Sequence, residues 1–288
     1  MTVEIVADTQ DHCGEGPLWH PEESVLYWTD IPKGRVYRYD PATNGVETVY
    51  EGMQVGGMTL QDDGSLLFFG DRGSILRWAK GDVTTLLDGI ETEEETRVND
   101  VIADPEGRVF AGTMPAPGRL GRLYRIDRDL TVTKIMSGIG CANGMGFTPD
   151  LGRMYFTDSG TREIGIWNYD RATGELSDSR LFVRTPEGEG VPDGMTVDRD
   201  GHVWSARWDG GGCFRYDALG KRLIHEIPLP EVGPVTCPLF AGPGYDDLYL
   251  TSAGGGDRER NGANAGALFR VRGLVTGGKP EFRSRLNR

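Results

Sequence analysis

The chain has 288 residues, 38% hydrophobic and 26% charged, a composition that excludes a disordered or collagen-like protein. Forty-four acidic residues against thirty-one basic ones leave a formal net charge of -13. Such a surface field repels phosphate backbones and anionic lipid, so neither nucleic acid nor a membrane is expected as a partner. The longest purely apolar run, residues 66–69, falls far short of the roughly 20 residues that a spanning helix needs. The first residues, MTVEIVADTQDHCGEGP, show no basic region ahead of an apolar one, which makes the cytoplasm the expected compartment. Cys13, Cys141, Cys213 and Cys237 stand without CxxC spacing and are expected to be reduced, mostly buried, structural thiols.

In chain order the sequence reads as short β-branched and aromatic runs punctuated by Gly, Asp and Pro, with hardly any helical period. The first run, TVEIVA, precedes six similar units whose inner strands start at Glu15, Gly56, Asn99, Asn143, Asp193 and Thr236. These starts are 41, 43, 44, 50 and 43 residues apart. A turn follows each inner strand, at Pro21, Asp62, Pro105, Pro149, Arg199 and Gly242. Second strands follow as LYWTD, LLFFGD, VFAGT, MYFTDS, VWSA and LYLTS, and third strands as GRVYRYD, GSILRW, GRLYRID, GIWNYD, GCFRYD and GALFRV. Fourth strands appear in five units as VETVY, VTTLL, TVTKI, SRLFV and RLIHEI; the sixth runs into GLVTGGKP and lacks one. TVEIVA supplies the missing strand. The prediction is all-β: a six-bladed β-propeller with four-stranded blades, closed by the N-terminal strand, with residues 1–288 as a single domain.

Inner strands of a propeller line a central channel and start at one end. The six starting residues therefore form a ring at one mouth, with Asp30, Asp71 and Asp158 returning to the same end on second strands. Four of the six ring members carry carboxylate or amide oxygen, where channel positions are more often apolar or small. Confined carboxylates repel and lose hydration unless a cation compensates. Oxygen ligands suit calcium, magnesium or manganese; zinc more often takes His or Cys, which the ring lacks. The alternative is that ring oxygens bond to one another and to channel water, or hold a purely structural ion.

The segments GEGPLW around Glu15, TRVNDVIADPEGRVFAGTM at 96–114, NGM at Asn143 and PDGMTVD around Asp193, in this order and spacing, resemble the senescence-marker-protein (regucalcin)/gluconolactonase family of six-bladed propeller lactonases. The resemblance runs nearly end to end. It implies one divalent cation, calcium first and zinc, magnesium or manganese as alternatives, held by Glu15, Asn143 and Asp193, with Asn99 beside the metal or its water. It implies further that Arg97, Asn99 and Asp100 bind hydroxyls of a small-molecule sugar lactone of the gluconolactone type. Asp193, a ligand with a second oxygen, is expected to be the general base of hydrolysis, with a ligand-only role as the alternative. Some family members carry a substrate-binding Glu on a longer loop where this chain reads PAPGRLGRL, without an acid, which leaves the preferred sugar open. A monomer or weak oligomer is expected.

Asp100 occupies a slot that is Gly16, Gly57, Gly144 and Gly194 in four other units, a departure of the kind that marks function. Its bland reading is a turn carboxylate, and that of Arg97 an ion pair worth little. GLVTGGKP has phosphate-loop spacing, but Pro280 replaces the Ser or Thr that such a loop requires. His12, His20, His202 and His225 share no blade position and receive no role, while the tryptophans are expected to pack between blades, with Trp208 as a candidate pocket wall. Three functional classes follow: a metal-dependent lactonase, a related phosphotriesterase or other esterase, and a non-catalytic calcium-binding propeller.

Overall fold

The computed structural model describes residues 1–220 and 222–287. Six antiparallel four-stranded sheets follow one another along the chain. The innermost strands are Gly14–His20, Val55–Leu60, Val98–Ala103, Ala142–Phe147, Val191–Val197 and Val235–Ala241. Each packs against the innermost strand of both neighbouring blades, which closes a ring around a central channel. The sixth sheet takes its outermost strand from Thr2–Ala7, paired with Leu268–Arg272, so the N-terminal segment closes the propeller as its alternation predicts.

Burial grades outward within a blade. Every residue of Val55–Leu60 and Leu66–Gly70 is buried, whereas most of the outer strand Asp82–Leu87 is exposed. Inner strands therefore read as apolar runs and outer ones as polar runs. The core lies between blades. Trp28 packs with Tyr249 of the sixth blade in one cluster, while Trp78 meets Tyr27 of the first blade, and Trp204 meets Phe240, edge-on. Among the described residues no helix is long and apolar enough to cross a membrane.

Two local features shape the channel mouth. All six inner strands shift register against their partners at the ring position, between Glu15/Leu18, Val55/Gly57, Val98/Asp100, Asn143/Met145, Pro192/Met195 and Val235/Pro238. A bulge bends its strand and re-aims a side chain, here once per blade. The glycine after the ring residue answers to close packing: a Cβ at Gly144 would stand 2.7 Å from the Asp193 carbonyl oxygen. Such an approach brings the backbones around Asn143 and Asp193, on adjacent blades, close together at the mouth.

The last residues form no strand. Gly278 donates to the Tyr245 carbonyl at 2.7 Å, Ser284 to that of Leu60 at 2.9 Å and Asn287 to that of Arg128 at 2.8 Å. The tail thus straps the end of the channel opposite the ring, from the sixth blade to the second and third. Between strap and ring lies a cavity of about 600 Å³ lined by apolar and charged residues, among them Asp100 near the ring and Lys279, Glu281 and Arg283 on the strap.

Candidate functional site

Glu15, Asn143 and Asp193 are nearly inaccessible, at 9%, 6% and 5% exposure. Glu15 Oε2 accepts from the Gly16 amide at 2.8 Å. Burial first, and then the negative charges of Asp193 and Asp100, hold the Glu15 carboxyl well above the usual carboxylate range; the Gly16 amide and Arg97 oppose the shift. Asp193 is raised in the same sense, by burial and then by Asp100. The two ring acids thus lie within electrostatic reach of each other, although they are separated by 178 residues of chain.

Arg97 and Asn99 complete the cluster. Arg97 Nη1 donates to Asn99 Oδ1 at 2.8 Å and to the Val98 carbonyl at 3.0 Å. Asn99 Nδ2 donates to Asn143 Oδ1 at 3.1 Å and to the Ala142 carbonyl at 2.8 Å, bridging the third and fourth blades. Burial pulls the Arg97 guanidinium below its usual value, while Glu15 is among the charges that push it back up. Gly56 and Thr236 contribute no oxygen to the site: Thr236 Oγ1 turns away to the Gly14 carbonyl at 2.6 Å.

Asp100 points elsewhere. Its Oδ1 accepts from the Val101 amide at 2.7 Å, and the side chain lines the cavity beneath the ring with Gly16, Gly57 and Cys237. Burial raises its carboxyl to about 7, with Glu281 adding to the rise. The structure therefore brings Arg97, Asn99, Asn143, Glu15 and Asp193 together and sets Asp100 directly below them.

The three acids that end second strands hold backbone. Asp30 accepts from the amides of His12 and Cys13, Asp71 from that of Gln54, and Asp158 from those of Gly140 and Cys141. The four cysteines are free and mostly buried, as expected: Cys213 fully so, while Cys13, Cys141 and Cys237 keep a little exposure along the channel. Their positions explain this, since Cys13 and Cys141 stand two residues before ring members and share the channel-facing side. Cys141 Sγ lies 3.4 Å from Met114 Sδ, and burial pushes the Cys141 thiol up to about 12. Trp208 is half-buried at the end of Val203–Trp208, paired with Val191.

The residues fit a divalent cation. The ring offers two carboxylates and an amide oxygen, all buried, whose repulsion the lone Arg97 leaves uncompensated, and a hard cation supplies the missing charge. A second acidic group, Asp198, Asp200 and His202, gathers at the other end of the fifth inner strand. Here a guanidinium already fills the position. Arg215 Nη2 lies 2.6 Å from Asp198 Oδ2 and 2.8 Å from His202 Nδ1, while Trp204 Nε1 donates to the same Asp198 oxygen at 3.0 Å. That cluster is a buried ion pair anchoring a turn.

A closed six-bladed propeller with an acid-and-amide ring at one mouth defines a class shared by many activities. The chain belongs to the SMP-30/Gluconolactonase/LRE-like region family, whose pattern matches residues 13–254. It is 49% identical over 293 residues to pentonolactonase XacC of Haloferax volcanii, covering 99% of this chain and 98% of that one. Identity to regucalcin of Xenopus laevis is 32% over 285 residues, with 95% of each chain covered. Among solved structures, the calcium-binding protein regucalcin of Agrobacterium tumefaciens superposes with a TM-score of 0.90 at 26% identity, over 99% of this chain and 98% of the other.

Proposed function

We propose that this chain is a divalent-metal-dependent lactonase that hydrolyses a sugar lactone to its open-chain acid, with Glu15, Asn143 and Asp193 holding the metal. The observation that carries the reading is the convergence of two buried, mutually repelling carboxylates with two amides and one arginine. A bound divalent cation would supply positive charge to the oxygen that turns anionic as water adds to the lactone carbonyl.

The chain's own groups do the rest. Arg97 Nε and Nη2 make no hydrogen bond among the described residues and stay available to substrate hydroxyls. Asn99 stands beside Arg97 as the second hydroxyl contact. Asp100 faces the cavity beneath, and its contribution to the site is negative charge. Asp193 takes the proton of the attacking water as the new C–O bond forms. The ring C–O bond then breaks, and the same proton passes to the departing alkoxide, giving a hydroxy acid.

The preferred substrate is a five-carbon aldonolactone. The relative from Haloferax volcanii is named a pentonolactonase, and the loop following Met114 offers no free acid to a longer sugar. Its Arg119 and Arg122 are both engaged, with Glu93, at 2.6 and 3.1 Å.

The test is acid release from a panel of five- and six-carbon aldonolactones, using chelated protein reconstituted with one metal at a time. Turnover restored by calcium, zinc, manganese or magnesium and strongest on a five-carbon lactone is the expected result. No metal-restored turnover on any lactone overturns the proposal.

A further inference from the structure

Five groups around the ring form one hydrogen-bonded line across three blades. Arg97 Nη1 donates to Asn99 Oδ1 (2.8 Å), Asn99 Nδ2 to Asn143 Oδ1 (3.1 Å), Asn143 Nδ2 to Ser159 Oγ (2.9 Å), and Ser159 Oγ to the Pro192 carbonyl (2.6 Å). The line runs in one direction for a chemical reason. A guanidinium can only donate, so Asn99 must turn its oxygen toward Arg97 and its nitrogen toward Asn143. Asn143 must then present its oxygen to Asn99 and its nitrogen to Ser159. A carbonyl can only accept, so the single Ser159 hydroxyl proton goes to Pro192, leaving the hydroxyl oxygen free to accept from Asn143. Reversing either amide would set donor against donor.

We infer that Ser159 is a positioning residue for the metal site, fixing which face of the Asn143 amide meets the ion. The inference rests on the reading of Glu15, Asn143 and Asp193 as ligands. An amide can bind a cation through oxygen and not through its NH2 group, yet the two ends are nearly the same size. Without Ser159, only Asn99 and the weak acceptor Cys141 Sγ, 3.6 Å from Nδ2, distinguish them. With it, both ends of the Asn143 amide are assigned, and one Oδ1 lone pair remains for the channel. Ser159 has a second effect, because its acceptor is the carbonyl of the residue directly before Asp193. One hydroxyl therefore ties the ligand of the fourth blade to the ligand of the fifth. Residues that orient metal ligands in this way commonly change affinity by about 10- to 100-fold when removed.

Ser159 sits at the end of a second strand and is half-buried, one residue beyond the acid that clamps Cys141. It lies 16 residues from Asn143 and 33 from Pro192 in sequence, so no motif joins the three.

The test is calorimetric titration of calcium chloride into the chelated full-length chain, comparing the parent with Ser159→Ala, Ser159→Cys and Ser159→Thr. Affinity is expected to fall about 10- to 100-fold in Ser159→Ala. Ser159→Thr, which keeps the hydroxyl, is expected to bind like the parent, with Ser159→Cys in between. Metal-free Ser159→Ala is expected to melt below the parent, because Asn143 Nδ2 and the Pro192 carbonyl lose their partner, and the rise in midpoint on adding calcium is expected to shrink as well, which a merely structural role would not give. If Ser159→Ala does not fold, the comparison of Ser159→Cys with Ser159→Thr carries the test in the same sense. A Ser159→Ala protein that binds as tightly as the parent, or a Ser159→Thr protein as weak as the alanine one, overturns the inference. A parent that binds no calcium overturns the ligand reading beneath it.

Discussion

Asp158 holds Cys141 by its backbone: Oδ1 accepts from the Cys141 amide at 3.1 Å, and Oδ2 from the neighbouring Gly140 amide at 3.1 Å. The pairing fixes the chain two residues ahead of Asn143. Asp30 does the same for Cys13 ahead of Glu15. Replacing Asp158 by Ala strands these amides and that of Gly160, at a cost of about 1 to 3 kcal/mol. Urea denaturation should show that loss together with weaker calcium binding. An unchanged midpoint and unchanged binding would mean the clamp has no bearing on the ring.

Glu93 is wholly buried and gathers Arg119, Arg122 and the Tyr124 hydroxyl, the last at 2.5 Å. It pins the loop after Met114 against the mouth, aided by Thr96 Oγ1, which donates to the Met114 carbonyl at 3.0 Å. Removing one partner of a buried ion pair costs about 3 to 5 kcal/mol; both arginines keep some contact with water, so Glu93→Ala should fall near the low end. Its KM for the lactone should rise more than its kcat falls. Steady-state kinetics with KM unchanged would detach this loop from the substrate.

Asp193→Asn keeps an oxygen for the metal and loses the base. Calcium titration should show retained binding, while kcat drops by about 100-fold or more. Near-normal turnover in a metal-loaded Asp193→Asn protein would leave Asp193 as ligand only. Glu15→Gln should act differently, weakening calcium binding before it affects turnover at saturating metal.

Glu281 stands on the strap and is open to solvent where it lines the cavity. The protein packed around its carboxyl raises it to about 7. The folded chain then holds a proton that the unfolded chain releases near the ordinary value of about 4.3. The resulting stabilisation is fully present below about pH 4 and is lost as the pH climbs through about 7. Differential scanning calorimetry of the metal-free protein should show Glu281→Gln melting above the parent at pH 8, the gap narrowing toward pH 5. Parallel pH profiles for the two proteins would remove this role.

Much of the architecture is legible in the sequence because each blade repeats one register. Glu15, Asn99, Asn143 and Asp193 could be aligned by the turns that follow them, and TVEIVA stood out as a strand without a blade. Other features left no periodic trace. Ser159 and Asp158 act through backbone amides and carbonyls, which any residue provides, so their partners carry no signature. The strap from Gly273 onward has no alternating pattern, and the side on which it lies could not be read from it. Asp100 stands out in the sequence as a departure from glycine, but only the bulge at Asn99 reveals that it faces the cavity below the ring.

The most direct measurement is anomalous diffraction from crystals of the full chain grown with manganese. The account predicts a strong peak at the ring, within ligand distance of oxygens from Glu15, Asn143 and Asp193. A ring without a peak, with manganese found instead at Asp198, Asp200 and His202, would contradict it.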